Sequence, residues 1–245
     1  MQAVSFINHK GGVGKTTLSF NYAHHLSKKH KVLFLDLDPQ MAASFLFDNF
    51  DDRAFVGRIF NGEDVKPAAV SKNIDLLNSG TNLRLLETKA KFLNNPSKLR
   101  LLQRYLDSVK NIYDFCVIDT APQIDFLMDG VITNSQACVI PVQSEILPIL
   151  GLEVINTLIK EVQDSGSNNI QIFIAVNMFA RATNLQNKIL AELRGKYHEI
   201  ILNNQIRRSI SVVEAQNRKI PISHLKKDVA NDFLQVFQEL DRKLK

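Results

Sequence analysis

The sequence has little cysteine: two residues in 245, Cys116 and Cys138, each inside an apolar run. Neither belongs to a Cys-x-x-Cys pair or another metal-type spacing, so iron–sulfur and zinc centres have no support. The two thiols read as inert core packing in a reducing compartment. Long hydrophobic runs are also missing. No window approaches the ~18 apolar residues that a membrane-spanning helix needs. The first apolar stretch, 3–7, is too short for a secretory signal and runs straight into His9-Lys10-Gly11. A cytoplasmic protein is therefore expected. The excess of one charge sign is small too. The formal net charge of +5 permits contact with nucleic acid or anionic lipid without requiring either.

What is present suits one sizeable core. The 245 residues are 45% hydrophobic, enough for a single domain over 1–245 and too few for two comfortable ones. Short apolar runs alternate with longer amphipathic ones. Strands are expected at 3–7, 32–37, 74–77, 115–119, 137–142 and 170–177. Helices are expected at 16–29, 83–93, 97–110, 149–163, 185–193, 206–217 and 229–244, with short helices and turns over 42–60. Strands apolar on both faces and alternating with helices predict an α/β fold, doubly wound, with a mostly parallel sheet covered on each side. In such a sheet, ligands bind beyond the carboxyl ends of the strands.

The strongest signal lies at the end of the first strand: Lys10-Gly11-Gly12-Val13-Gly14-Lys15-Thr16-Thr17. It fits the G-x-x-x-x-G-K-[ST] spacing except that His9 stands where the first glycine belongs. The strand before and the helix after are the context a phosphate loop requires. Glycines let the backbone wrap phosphate oxygens with inward N–H groups, and the helix adds its positive end. Lys15 should reach the β and γ phosphates of ATP, Thr16 should sit on Mg²⁺, and Thr17 should serve the α phosphate.

Lys10 is superfluous for an ordinary phosphate loop. With it, the run resembles the KGGVGKTT signature of the deviant Walker A ATPases, which include the ParA/Soj proteins and MinD. The resemblance implies that Lys10 crosses a homodimer interface to the partner's nucleotide. There it would neutralise charge on the transferred phosphoryl group.

Two further strands end in carboxylates. Val32-Leu33-Phe34-Leu35-Asp36-Leu37-Asp38-Pro39-Gln40 places Asp36 and Asp38 on one side of a strand at its carboxyl end. Such a pair is costly unless a cation or water lies between the two groups. The run resembles the ParA DxDPQ segment, which implies that Asp38 orients the attacking water and Asp36 supports the metal shell. Phe115-Cys116-Val117-Ile118-Asp119-Thr120-Ala121-Pro122 has the Walker B pattern, with Asp119 a Mg²⁺ holder. Thr120-Ala121-Pro122 replaces the family's common Cys-Pro-Pro, and Pro122 is kept.

The resemblance continues through Val139-Ile140-Pro141-Val142-Gln143-Ser144-Glu145 and Ala175-Val176-Asn177-Met178 to about Ile222. A strand-end Asn offers both a donor and an acceptor, which suits an adenine edge, so Asn177 is the candidate base reader. The chain opens directly on its first strand, so the likeness is to the small, Soj-like ParA type. That type implies an ATP-bound dimer on nonspecific DNA and a ParB-like stimulating partner. The candidate phosphate contacts are Arg181, Arg194, Lys196, Arg207, Arg208, Arg218, Lys219, Lys226 and Lys227. A MinD-like reading needs a membrane helix at the end. The apolar stripe Val229, Phe233, Val236, Phe237, Leu240 and Leu244 has helical spacing, but its other face carries Asp228, Asp232, Glu239 and Asp241. Lipid-binding helices carry Lys and Arg there, so a packed helix is expected.

Overall fold

The computed structural model describes residues 1–80, 99–122, 126–143, 148–164, 170–180, 184–225 and 227–244. The strands are β1 (Gln2–Phe6), β2 (Val32–Leu37), β3 (Ala68–Ser71), β4 (Ile74–Leu77), β5 (Phe115–Thr120), β6 (Ala137–Gln143), β7 (Gln171–Phe179) and β8 (Ile201–Arg207). The helices are α1 (Lys15–Leu26), α2 (Ala42–Leu46), α3 (Gly57–Phe60), α4 (Leu99–Val109), α5 (Phe126–Thr133), α6 (Pro148–Asp164), α7 (Asn184–Lys196), α8 (Ile210–Asn217) and α9 (Asp228–Lys243).

All eight strands share one sheet in the order β3-β4-β2-β5-β1-β6-β7-β8. Every pairing is parallel except β3 with β4. This is the expected α/β, doubly wound arrangement. Alternation along β2 shows how both faces are covered. Val32 and Phe34 pack with α1 and α9, while Leu33, Leu35 and Leu37 pack with α4. Each such fully buried side chain contributes about 1.5–3 kcal/mol. Cys116 and Cys138 are buried and free, as expected. No described helix is long and apolar enough to cross a membrane.

Two edge strands were not legible in the sequence. β3 is short and half exposed, with an Ala-Ala-Val-Ser composition. β8 carries Asn203 and Asn204 at its centre, which breaks the apolar run. The expected helix at 206–217 is accordingly corrected. Ile206 and Arg207 finish β8, and α8 starts at Ile210, with the Ser209 side chain accepting from the Ser211 N–H as an N-cap. The expected helix at 83–93 lies outside the described residues.

The terminal stripe is core. Val229, Phe233, Val236, Phe237, Leu240 and Leu244 are all buried in the cluster that α9 shares with α1 and the sheet. Its acidic groups are matched as well. Asp241 accepts from the Tyr22 hydroxyl at 3.0 Å and pairs with His25 at 2.8 Å.

Candidate functional site

The strand order turns back at β1, between β5 and β6, and there the carboxyl ends of β1, β2 and β5 open together. The phosphate loop leaves β1 at this point. Gly12 and Gly14 hold positive φ of 75° and 96°, and Gly14 forms the left-handed turn into α1. A Cβ at Gly14 would collide with the Asn177 amide, so no larger residue fits. The loop is fastened from below. The Asn8 side-chain NH2 donates to the Pro141 carbonyl at 2.7 Å, and the Asn8 side-chain Oδ1 accepts from the Lys10 N–H at 2.8 Å. The Gln143 amide donates to the Gly12 carbonyl at 2.7 Å. His9, in the first glycine's place, contacts Glu161 on α6 at 2.9 Å.

The two loop lysines are divided. Lys15 is only 6% exposed, and its ammonium reaches the Lys10 carbonyl at 3.4 Å. Lys10 stands exposed with Gly11 and Gly12. Burial pulls the Lys15 ammonium below the usual lysine range, and the carboxylates of Asp119 and Asp38 oppose that shift.

Three carboxylates gather opposite. Asp36 and Asp119 are register partners across β2 and β5, and both are fully buried. Burial pushes the Asp119 carboxyl well above its usual range, and Asp36 and Asp38 push the same way. Lys15 and the approaching Thr16 hydroxyl offset part of this. Neither Asp119 oxygen has a well-formed hydrogen bond. A buried carboxylate so poorly matched is the donor a hard cation needs. With the Thr16 hydroxyl and the glycine cradle alongside, these residues fit a Mg²⁺–nucleotide. Among the described residues no group of three or more His, Cys, Asp or Glu forms a ready metal cage.

The Asp36 oxygens have partners of their own. One oxygen accepts from the Asp38 N–H at 3.1 Å. The other accepts from the Ser44 N–H at 2.8 Å and the Ser44 hydroxyl at 2.6 Å. Its oxygens are engaged by the segment after β2, which it organises. Burial pushes its pKa up to about 6, against the pull of the Ser44 bonds. Asp38 is buried as well and keeps one oxygen on the Gln40 N–H at 2.9 Å.

Asn177 and Thr17 also have specific partners. The Asn177 amide donates to the Val13 carbonyl at 2.8 Å, so it clamps the loop. The Gln216 amide of α8 donates to the Thr17 hydroxyl oxygen at 2.9 Å. The holders Asn8, Ser44 and Gln216 carried no sequence signal. Gln143 was visible only as part of a longer matching run.

The basic candidates separate into groups. The Arg207 guanidinium grips Asp232 at 2.6 and 2.9 Å. Lys219 pairs with Asp48 and lies over the Phe45 ring, 4.4 Å from its centroid. Arg194 caps the Asn203 carbonyl at 2.7 Å. Lys196 rests over the Tyr197 ring at 5.4 Å. Arg208, Arg218 and Lys227 are exposed. Arg181 and Lys226 lie outside the described residues.

The chain resembles known proteins over most of its length. The chain is 29% identical to the sporulation initiation inhibitor protein Soj of Bacillus subtilis, over 89% of each chain. The fold matches a plasmid partition protein of Borrelia burgdorferi B31 bound to AMPPNP, with a TM-score of 0.85 at 22% identity over 99% of each chain. It also matches cobyrinic acid a,c-diamide synthase of Mycobacterium smegmatis with a bound ATP analogue and magnesium. There the TM-score is 0.83 at 21% identity, over 100% of this chain and 96% of that one. At such identities the two structures speak for the fold alone. The AAA domain family matches residues 1–172, and the chain belongs to it as a ParA/Soj-type P-loop ATPase.

Proposed function

We infer that the chain is a partition ATPase, a single P-loop domain over 1–245 that works as an ATP-driven dimer switch. The observation that carries the reading is the division of the loop lysines, with Lys15 buried against the carboxylates and Lys10 exposed at the same loop. A buried lysine serves the chain's own phosphates. An exposed one beside two glycines is available to a second copy closing face to face. Two such copies would enclose two nucleotides, and hydrolysis would depend on assembly.

Within each site, Lys15 and the loop N–H groups bind the β and γ phosphates, and the α1 N-terminus adds its positive end. Thr16 and Asp119 hold Mg²⁺, with Asp36 acting on that shell through the loop it organises. When bound, Mg²⁺ neutralises phosphate charge that the protein's own cations leave uncovered. Asp38, buried just past the end of β2 with one oxygen on the Gln40 N–H, orients the attacking water. Lys10 of one copy and Lys15 of the other stabilise the phosphoryl charge. Asn177, already holding the loop, keeps an acceptor oxygen for the adenine edge.

The closed dimer binds nonspecific DNA through backbone phosphates, with Arg208, Arg218 and Lys227 as the exposed contacts. A ParB-like partner stimulates hydrolysis and releases it. The working location is then the cytoplasm, on the nucleoid. The buried α9 stripe disfavours the MinD-like alternative, because those apolar side chains are already used inside the fold. Positioning of a protein cargo would use the same DNA surface and the same cycle.

The test is DNA and anionic-liposome binding with ATP, ADP or no nucleotide. ATP-dependent, salt-sensitive DNA binding without liposome binding is expected; ATP-dependent liposome binding alone would replace this reading with the membrane one. Lys10→Ala should lower ATP turnover by about 100-fold or more, in line with loss of a transition-state cation. A Lys10→Ala chain that dimerises and hydrolyses normally would remove the trans role.

A further inference from the structure

Two helix ends meet beside the site. α2 closes with the Asp48 N–H donating to the Phe45 carbonyl at 3.1 Å and the Asn49 N–H to the Ser44 carbonyl at 3.1 Å. α8 closes the same way, the Lys219 N–H donating to Gln216 at 2.9 Å and the Ile220 N–H to Ala215 at 3.0 Å. Both are Schellman ends, in which the left-handed residue is usually glycine. Here those positions are Asp48, with φ 52°, and Lys219, with φ 51°. Strained charged residues persist where surrounding structure requires them. What these two share is each other: the Lys219 ammonium pairs with Asp48 while lying over Phe45.

The pair joins two parts of the nucleotide site. α2 also supplies Ser44, whose N–H and hydroxyl hold Asp36. α8 also supplies Gln216, which donates to the hydroxyl oxygen of Thr17. That donation occupies a lone pair of the Thr17 hydroxyl and leaves its proton to point elsewhere, toward a phosphate oxygen. Between the two helices lies a cavity of about 420 Å³, with Thr16, Gln40, Phe45 and Gln216 in its wall.

We propose that Lys219 and Gln216 are positioning residues for ATP hydrolysis, through which α8 braces the Asp36–Asp38 segment against the phosphate-loop helix. The proposal rests on the ATPase reading. The brace contributes little to stability, because Asp48 is 72% exposed and such pairs are weak in water. Its effect is on geometry. Lys219 fixes where α2 sits, α2 fixes Asp36 through Ser44, and Asp36 fixes the Asp38 backbone.

Lys219→Gly separates this role from a structural one, since glycine relieves the left-handed strain while removing the latch. MgATP turnover is measured without DNA, beside thermal unfolding. Lys219→Gly should keep or raise Tm, lower kcat about fivefold or more and leave KM for ATP within about twofold. Asp48→Asn should follow it, and Lys219→Arg should recover most of kcat. Gln216→Ala should instead raise KM several-fold. A Lys219→Gly chain with wild-type kcat overturns the proposal, as does a loss that Lys219→Arg fails to recover. Lys15→Ala is the control. If it turns over MgATP like wild type, or if wild type has no turnover, the ATPase reading itself fails. If Lys15→Ala is dead and Lys219→Gly is normal, only the brace fails.

Discussion

The two ends of this molecule treat buried charge in opposite ways. Along the seam of β8 and α9, every acidic group described has an answer. Asp232 takes both arms of Arg207. Glu239 accepts from the backbone and side-chain amides of Asn203 and Asn204 at 2.7–3.0 Å. Burial alone would raise its pKa, yet those four bonds hold it below the usual range. At the phosphate end, Asp119 is as buried and lacks a well-formed hydrogen bond. In the proposed ATPase, a bound Mg²⁺–nucleotide would resolve that mismatch. A matched buried charge marks structure, and an unmatched one marks a site.

The largest expected effect comes from unmatching the seam. Asp232→Ala would leave the Arg207 guanidinium without its partner against β8. It should destabilise the fold by about 2–3 kcal/mol, below the fully buried limit because Arg207 is one-third exposed. Chemical denaturation of wild type and variant measures it. An effect below about 0.5 kcal/mol would place the pair with ordinary surface ion pairs and weaken the contrast.

The same contrast explains what the sequence disclosed. The phosphate end is built from local runs, in which each strand ends in its own candidate residue. Lys15, Thr16, Asp36, Asp38 and Asp119 could therefore be named with their strands. The apolar strands beneath them are buried on both faces, and β2, β4 and β5 were located within one residue. The seam depends on pairs such as Arg207 with Asp232, 25 residues apart, whose meeting no local pattern encodes. The Arg207–Asp232 pair is therefore invisible in the sequence, and the last two residues of β8 read as the start of a helix. Lys219 and Gln216 were hidden for the same reason, since their partners Asp48 and Thr17 lie 171 and 199 residues away.

The next effect has the opposite sign. Asp119→Asn removes an unmatched buried charge while keeping the shape. In the absence of nucleotide and Mg²⁺ it should stabilise the chain by roughly 2 kcal/mol at neutral pH. It should also abolish the Tm increase that MgATP gives wild type, because that increase measures binding to the folded state. A destabilised apo variant would show that Asp119 is matched after all.

The smallest effect is Asp36, which stands between the two regimes: fully buried, yet bonded to Ser44 and Asp38. Its folded pKa, about 6, lies above the ordinary value of 3.8. A raised carboxyl binds its proton more tightly in the folded chain. The stabilisation it gives is thus complete below the unfolded pKa and lost as pH rises through the folded one. Asp36→Asn, which stays neutral, should therefore gain on wild type as pH climbs from about 4 to about 7 in the absence of ligand. Both Asp36 oxygens accept from backbone N–H groups, so the variant turns its NH2 toward one of them at a pH-independent cost; the readout is the change in the difference between the two pH values, about 1 kcal/mol. Urea unfolding at several pH values reads it directly. A difference that does not change with pH would mean that Asp36 titrates normally and belongs with the matched charges of the seam.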